Sequence, residues 1–465
     1  MTAMDRFSPT TPPAARLADA HGQAEPAALQ RLAEGGAIVI VGGGAGGLEL
    51  AAKLGRRLGP ERVTLVDPQR FHIWKPTLHE VAAGTLDIYQ EGLSYEMLAH
   101  DNGFRFVYGP MQGLDAARRS IAVGPIHDDD GQELLPPREL PYERLVLAVG
   151  STSRYFGVPG AAEHTLSLID AASAEQFRRR TLKLLAAADL RKQRDGAGGV
   201  DIVIIGGGAT GVELAAELRE ASAVHTRYGI RRLDPDRDVR ITLLEGSERL
   251  LAPLTDKVSL AAVQLLRQRH VQVHTSCQVS RIDASGVDVQ DGRRFAADIT
   301  VWAAGIEAHP LLRALGLPVT ASGQVEVDAQ LRVKGMPGLM ALGDCAACLG
   351  ADGRPLPPRA QTAHQQADYL CAALLGEARG RPWPDAPYVY RDHGSLVSIG
   401  TGTSVGNLMG VLFSSNWFVQ GLFARTMYTS LHLLHHHAVL GARRTGVRAM
   451  ARFLLKRATP RVKLH

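Results

Sequence analysis

Cysteine is scarce: 465 residues contain four, Cys277, Cys345, Cys348 and Cys371. That excludes a disulfide-dense scaffold and fits a reducing compartment. No uninterrupted apolar run reaches the ~18 residues that would read as a transmembrane helix. The N-terminus has no continuous apolar stretch of the secretory kind. Residues 1–35, rich in Ala, Pro and polar residues, read as a flexible leader with one weak helical stretch. Acidic residues also stop early. Beyond Asp392 lie 73 residues with no Asp or Glu and nine Arg or Lys, which leaves 43 basic against 47 acidic residues before that point. The formal net charge of +5 is therefore a property of the tail. A basic, apolar-rich end suits an anionic surface. No nucleic-acid motif accompanies the charge, so nucleic acid is set aside and a lipid surface is preferred.

The length exceeds what one core supports, so two or three domains are expected. Ala37–Val41 (AIVIV) is a short apolar, β-branched run that reads as a buried strand. Six residues of glycine and alanine follow, then a helix over Leu48–Leu58 and a second strand over Val63–Val66 ending in Asp67. Gly42, Gly44 and Gly47 fill a G-x-G-x-x-G pattern in this βαβ unit. The first glycine permits the tight turn, the second lets backbone approach a pyrophosphate, and the third lets helix pack on strand. Asp67 stands where ribose hydroxyls would be bound.

The arrangement recurs. Asp201–Ile205 is a strand, Gly206, Gly208 and Gly211 fill the motif, Val212–Glu220 continues as helix, and Arg240–Leu244 ends in Glu245. An insertion around 221–239 lengthens this unit. Two units imply two dinucleotides. Three more strands end in small residues suited to close backbone contact with a cofactor: Leu145–Gly150 with Ala148 and Gly150, Thr300–Gly305 with Ala304 and Gly305, and Gly338–Ala346 with Gly343 and Asp344 before a helix.

In order and spacing these segments resemble the two-dinucleotide-binding flavoproteins over roughly residues 36–385. The resemblance implies an α/β fold with two Rossmann-like domains, the NADH domain inserted in the FAD domain. FAD would take residues 36–157 and 305–385, with the Gly343-Asp344 pair on its ribityl chain, and NADH would take 158–304. Disulfide reductases of that superfamily carry a flavin-proximal cysteine pair. Here Phe71–Gly84, after the first unit, has no thiol. Cys345 and Cys348 follow Gly343-Asp344 at an expected helix start, which would acidify a thiol; small core residues are the simpler reading.

Phe71–Gly84 is similar to the K/Q-P-x-L-x-x-V-A-x-G stretch of type II, non-proton-pumping NADH:quinone oxidoreductases, and Ala360–Gln365 to their A-Q-x-x-x-Q motif. That resemblance implies a membrane quinone as electron acceptor, with Gln361 and Gln365 in its site. An amide suits a quinone carbonyl because it donates hydrogen bonds. It also implies that Glu213 lies near nicotinamide, flavin and quinone; the alternative is a carboxylate favoured by the helix dipole. Glu245 would accept from the NADH ribose and repel a 2′-phosphate, although Arg249, four residues on, leaves NADPH in play. The rivals are a sulfide:quinone reductase, which needs flavin-proximal cysteines, and a membrane-docked NADH sensor.

In the tail, Leu408–Leu434 gathers apolar and aromatic residues, Trp417 and Tyr428 among them, around a single charge, Arg425. Arg444, Arg448, Arg452 and Lys456 recur every four residues. Residues 386–465 are therefore expected to end in an amphipathic segment lying on the membrane with its cations toward anionic headgroups, on a peripheral protein at the cytoplasmic face. A homodimerisation helix is the alternative. His432 and His436, four apart, have helical metal-ligand spacing. With no further ligand cluster they read as headgroup contacts at the interface, and no metal is expected.

Overall fold

Consecutive apolar residues with no polar interruption need burial on both faces, and this builds the two sheets of the computed structural model. The structure describes residues 36–399, 404–409, 416–420, 422–458 and 462; the leader over 1–35 falls outside it. The chain opens with β1 (Ile38–Val41), α1 (Ala45–Leu58) and β2 (Val63–Asp67), then α2 (Leu78–Ala83), β3 (Arg105–Tyr108) and β4 (Arg144–Leu147). The long helix α3 (Ala171–Asp195) precedes β5 (Val200–Ile205), α4 (Ala209–Tyr228), β6 (Val239–Leu244), β7 (Val271–His274) and β8 (Ile299–Trp302). The chain then returns to its first sheet with β9 (Leu339–Ala341) and α5 (Ala360–Glu377).

The first sheet has the order β9-β4-β1-β2-β3, and the second runs Leu166–Ser167, β8, β5, β6, β7. All their pairings are parallel. In each, the strand before the glycine loop is central, so each loop opens at the C-terminal edge of the sheet, where α/β folds bind ligands. The antiparallel pair Ser151–Ser153 with Ile306–Ala308 joins the two halves. Separate buried clusters lie on the two sheets.

After α5 the chain makes an antiparallel meander, β10 (Ser395–Ser398), β11 (Ser404–Met409) and β12 (Asn416–Gln420), before α6 (Leu422–Ala458). The apolar stretch from Leu408 is thus partly sheet: its short apolar runs carry no period that separates strand from helix. The side chains of Trp417, Arg425, Tyr428 and Lys456 lie outside the description.

α6 breaks at Gly441, whose φ of 77° and ψ of 167° are non-helical. A break strips the preceding turn's carbonyls of their partners. Arg56 donates to the Ala438 carbonyl and Asn102 donates Nδ2–H to that of Val439 at 3.0 Å, so the chain's body caps this half-helix.

The orientation of the tail corrects the sequence reading. The basic stripe faces the body: Arg444 pairs with Asp101, Arg448 donates to the Gln90 carbonyl at 2.9 Å, and Arg452 meets Glu91 at 3.3 Å and Glu80 at 3.4 Å. The outward face is apolar, with Val447 66 % and Leu454 57 % exposed beside Met450, Phe453 and Leu455. The histidines are corrected as well. His432, His435 and His436 are buried rather than interfacial, because the acidic residues that draw in the arginines lie on elements packed against this helix. Burial takes the pKa of His432 down to about 2 and that of His436 to about 3. Their Nε2 atoms are 3.2 Å apart. Among the described residues no group of three or more ligand side chains could hold a metal.

Candidate active site

The glycines of the two loops divide into the same two kinds. Gly42 has φ 104°, and a Cβ there would collide with the Ala148 carbonyl; a Cβ on Gly47 would collide with the Gly42 carbonyl. In the second loop Gly206, at φ 110°, lies against the Ala303 carbonyl and the Ala304 Cα, and Gly211 lies against the Gly206 carbonyl. The middle glycines differ. Neither Gly44 nor Gly208 has any atom within 4 Å of its Cβ position. Each caps its helix, and neither helix has an acidic residue in its first turn. The outer glycines serve the chain's own packing, and the middle one borders open space at a helix N-terminus, where unpaired N–H groups and the dipole favour an anion. The loops fit dinucleotide pyrophosphates.

Carboxylates at the ends of β2 and β6 brace these loops. Asp67 accepts from the Gly43 N–H at 2.6 Å and the Gln69 N–H at 2.8 Å. Glu245 accepts from the Gly207 N–H at 2.6 Å and the Ser247 N–H at 2.7 Å. Burial raises the pKa of Asp67 in spite of its amide donors. Each carboxylate oxygen keeps a second lone pair for a ribose hydroxyl. Arg249 is engaged elsewhere, on the carbonyls of Ala252 and Leu254 and on Asp256.

The remaining small residues gather around the first sheet's edge. Gly150 is left-handed at φ 72°, with Lys75 Nζ 3.7 Å from its Cβ position. A Cβ on Gly305 would meet the Phe156 ring at 2.8 Å. Gly343, at φ 73°, donates its N–H to Gln366 Oε1 at 2.7 Å, and Asp344 accepts from Ser151 Oγ at 2.8 Å. Gln366, buried beside the two glutamines expected from the motif, holds the Gly343-Asp344 turn. One 3-10 turn, not a helix, follows β9. Cys345 therefore has no helix N-terminus to acidify it, and burial pushes its thiol up to about 11. All four cysteines are free and buried.

Glu213, in the first turns of α4, is also buried. Its Oε1 accepts from the Ser398 N–H at 2.9 Å, and its Oε2 lies 3.4 Å from His79 Nδ1 on α2. Burial pushes its pKa up to about 8 and that of His79 down. Burial thus favours the neutral form of both groups. On α5, Gln361 Oε1 accepts from the Tyr390 hydroxyl at 3.0 Å; no described residue accepts from its amide nitrogen. Gln365 is bonded at both ends to the Arg391 backbone, donating at 2.8 Å and accepting at 2.9 Å.

Between Gln361 and Gln365, His364 reaches into a buried polar chain that sequence reasoning missed. Its Nδ1 hydrogen-bonds to Glu49 on α1. Glu49, 1 % exposed, also meets Lys53 Nζ at 3.1 Å and His435 Nδ1 at 2.8 Å. Burial alone would raise its pKa, but the hydrogen bonds from His364 and then His435 hold it well below the ordinary carboxylate range. His435 Nε2 lies 2.9 Å from His72 Nε2, and His72 Nδ1 lies 2.9 Å from the Gly43 carbonyl, which also accepts from the Tyr95 hydroxyl at 2.7 Å. A signal existed: Glu49 sits among leucines on the helix after the glycine loop, and a charge on that buried face needs partners.

Residues 36–367 match the pyridine nucleotide-disulphide oxidoreductase family. The chain is 34% identical over 444 residues to a type II NADH:quinone oxidoreductase of Haemophilus influenzae, covering 92% of this chain and 99% of that one. It is 29% identical to the demethylphylloquinone reductase NdbB of Synechocystis, covering 81% of this chain and 88% of the relative. Among solved structures, NDH2 from Plasmodium falciparum in complex with NADH has a TM-score of 0.76 at 19% identity, covering 93% of this chain and all of that one. The sulfide:quinone oxidoreductase of Aquifex aeolicus reaches 0.66 at 16% identity, covering 90% of this chain and 95% of the other, a likeness of fold alone.

Proposed function

The chain belongs to the type II NADH:quinone oxidoreductases, and from that premise we propose how its residues divide the work. The protein is an FAD-dependent oxidoreductase that passes electrons from NADH to a quinone. Bound FAD supplies the two-electron chemistry, and the protein supplies orientation and electrostatics. Residues 36–157 and 305–385 hold FAD through Gly42, Gly44, Gly47 and Asp67, with Ala148, Gly150, Gly305, Gly343 and Asp344 lining its path. Residues 158–304 hold NADH through Gly206, Gly208, Gly211 and Glu245, beside Ala304. Glu245 accepts from the ribose, and Arg249 is already engaged, which favours NADH over NADPH. Glu213 enters neutral and can give a proton or a hydrogen bond. The free amide of Gln361 donates to a quinone carbonyl, while Gln365 holds the chain at Arg391. The paired open middle glycines carry this reading, because they supply two anion sites and each permits close approach of a pyrophosphate.

The tail, residues 386–465, presents its apolar face to a lipid surface, placing the enzyme peripherally on the cytoplasmic face where a membrane quinone is reached. Among the described residues no helix is long and apolar enough to cross a membrane. Val447, Met450, Phe453 and Leu454 face outward, and exposed Arg443 adds attraction for anionic lipid. Flotation of Val447→Glu/Leu454→Glu with anionic vesicles is the test. Vesicle binding should be lost with NADH turnover on a water-soluble quinone retained. Retained binding together with conversion of a dimer to monomers would make this face a homodimer interface instead.

A further inference from the structure

The two peptide planes around Gly43 are both fixed. The Gly43 N–H goes to Asp67, and its carbonyl takes hydrogen bonds from His72 and Tyr95. In a planar trans peptide the C=O of one residue and the N–H of the next point in opposite directions. Holding the Gly43 carbonyl therefore aims the N–H of Gly44, the residue that borders open space.

The protons along this chain can be counted. The Gly43 carbonyl only accepts, so His72 donates from Nδ1. Burial takes the pKa of His72 down to about 3, so its Nε2 is a lone pair. His435 Nε2, 2.9 Å away, must then be the donor. Glu49, held ionised, only accepts from His435 Nδ1 at 2.8 Å. His435 thus bridges Glu49 to His72, with the Trp74 ring centroid 4.4 Å from its own. Withdrawing α6 would leave Glu49 and His72 Nε2 short of donors in the interior, where unmet polar groups are costly.

We propose that His435 is a positioning residue for the FAD phosphate loop, acting from the C-terminal helix through His72 on the Gly43 carbonyl, so that docking of that helix and retention of FAD reinforce each other. The proposal rests on the first glycine loop's holding FAD. Reinforcement of this kind is reciprocal by thermodynamic linkage. Among the described residues the second loop has no such connection, since the Gly207 carbonyl accepts from the Leu251 backbone N–H at 2.8 Å.

The test uses purified holoenzyme and two readouts. Release of FAD after dilution, followed by its fluorescence, should be about tenfold faster in His435→Ala and His72→Phe, equivalent to about 1.4 kcal/mol. NADH affinity should be unchanged. By hydrogen exchange, removal of FAD from the wild-type protein should speed exchange in the helical turns around His435, and His72→Phe should abolish that difference. Should His435→Ala not fold, His435→Gln keeps the shape with a donor at one end only and carries the same expectation. Unchanged FAD release in both variants, or a helix whose exchange ignores FAD, overturns the proposal. Gly44→Val separates the two failures: if it retains FAD, the loop assignment itself is wrong; if it loses FAD while the histidine variants do not, only the coupling is wrong.

Discussion

The first and second glycine loops share one plan and differ in what holds their middle carbonyl. In the second loop the Gly207 carbonyl takes a backbone N–H from Leu251. In the first, the Gly43 carbonyl takes two side chains, one of which leads through His435 to the C-terminal helix. Leu251 supplies its donor from the backbone, whatever side chain stands there. The first loop depends instead on two particular side chains and, through His435, on the packing of the C-terminal helix. On the proposed assignment, that suits a loop that keeps FAD, whereas the second would let NAD⁺ leave each cycle.

The largest expected effect breaks the first loop. Gly44→Val should abolish FAD retention while leaving the fold intact, because no protein atom lies within 4 Å of the new Cβ; flavin absorbance per chain and far-ultraviolet circular dichroism measure the two. Next is Glu213, whose buried carboxyl is pushed from 4.5 up to about 8. The folded state then binds a proton that the unfolded state has released. Stability should fall as pH rises from about 4.5 to about 8, by up to about 1.4 kcal/mol per pH unit. Glu213→Gln should flatten that part of the Tm profile, and an unaltered slope would show that the wild-type carboxyl is already ionised.

Glu245 probes the second loop. Glu245→Ala should weaken NADH roughly tenfold or more, since a charge-assisted hydrogen bond contributes about 1.5–3 kcal/mol, and should narrow its advantage over NADPH; titration with both nucleotides reads this. The smallest effect belongs to the arginine stripe. Arg444→Ala should hardly lower stability, since an exposed ion pair contributes little. It should hardly change vesicle binding, because that side chain pairs with Asp101 on the body. A large, salt-sensitive loss of vesicle binding would turn the stripe back toward lipid.

The glycine loops were legible in the sequence because backbone geometry restricts which residues can stand there: Gly42 and Gly206 need positive φ, and Gly47 and Gly211 have no room for a Cβ. The tail was legible in composition and wrong in orientation. Spacing of four puts Arg444, Arg448 and Arg452 on one face, but which face meets the body depends on Asp101, Glu91 and Glu80, more than 340 residues earlier. The His72–His435–Glu49 chain joins three separate segments, and no local pattern links them. Gln365 matches a motif by type, yet only the fold shows that both its ends are committed to the Arg391 backbone.

The division of labour between the loops is tested most directly in one stopped-flow experiment on Gly208→Val, a position with nothing within 4 Å of its Cβ. The variant should carry a full complement of FAD, and its flavin should not bleach on mixing with NADH. After chemical reduction it should be reoxidised by a water-soluble quinone at the wild-type rate. Bleaching by NADH at the wild-type rate, or loss of FAD from this variant, would contradict the account.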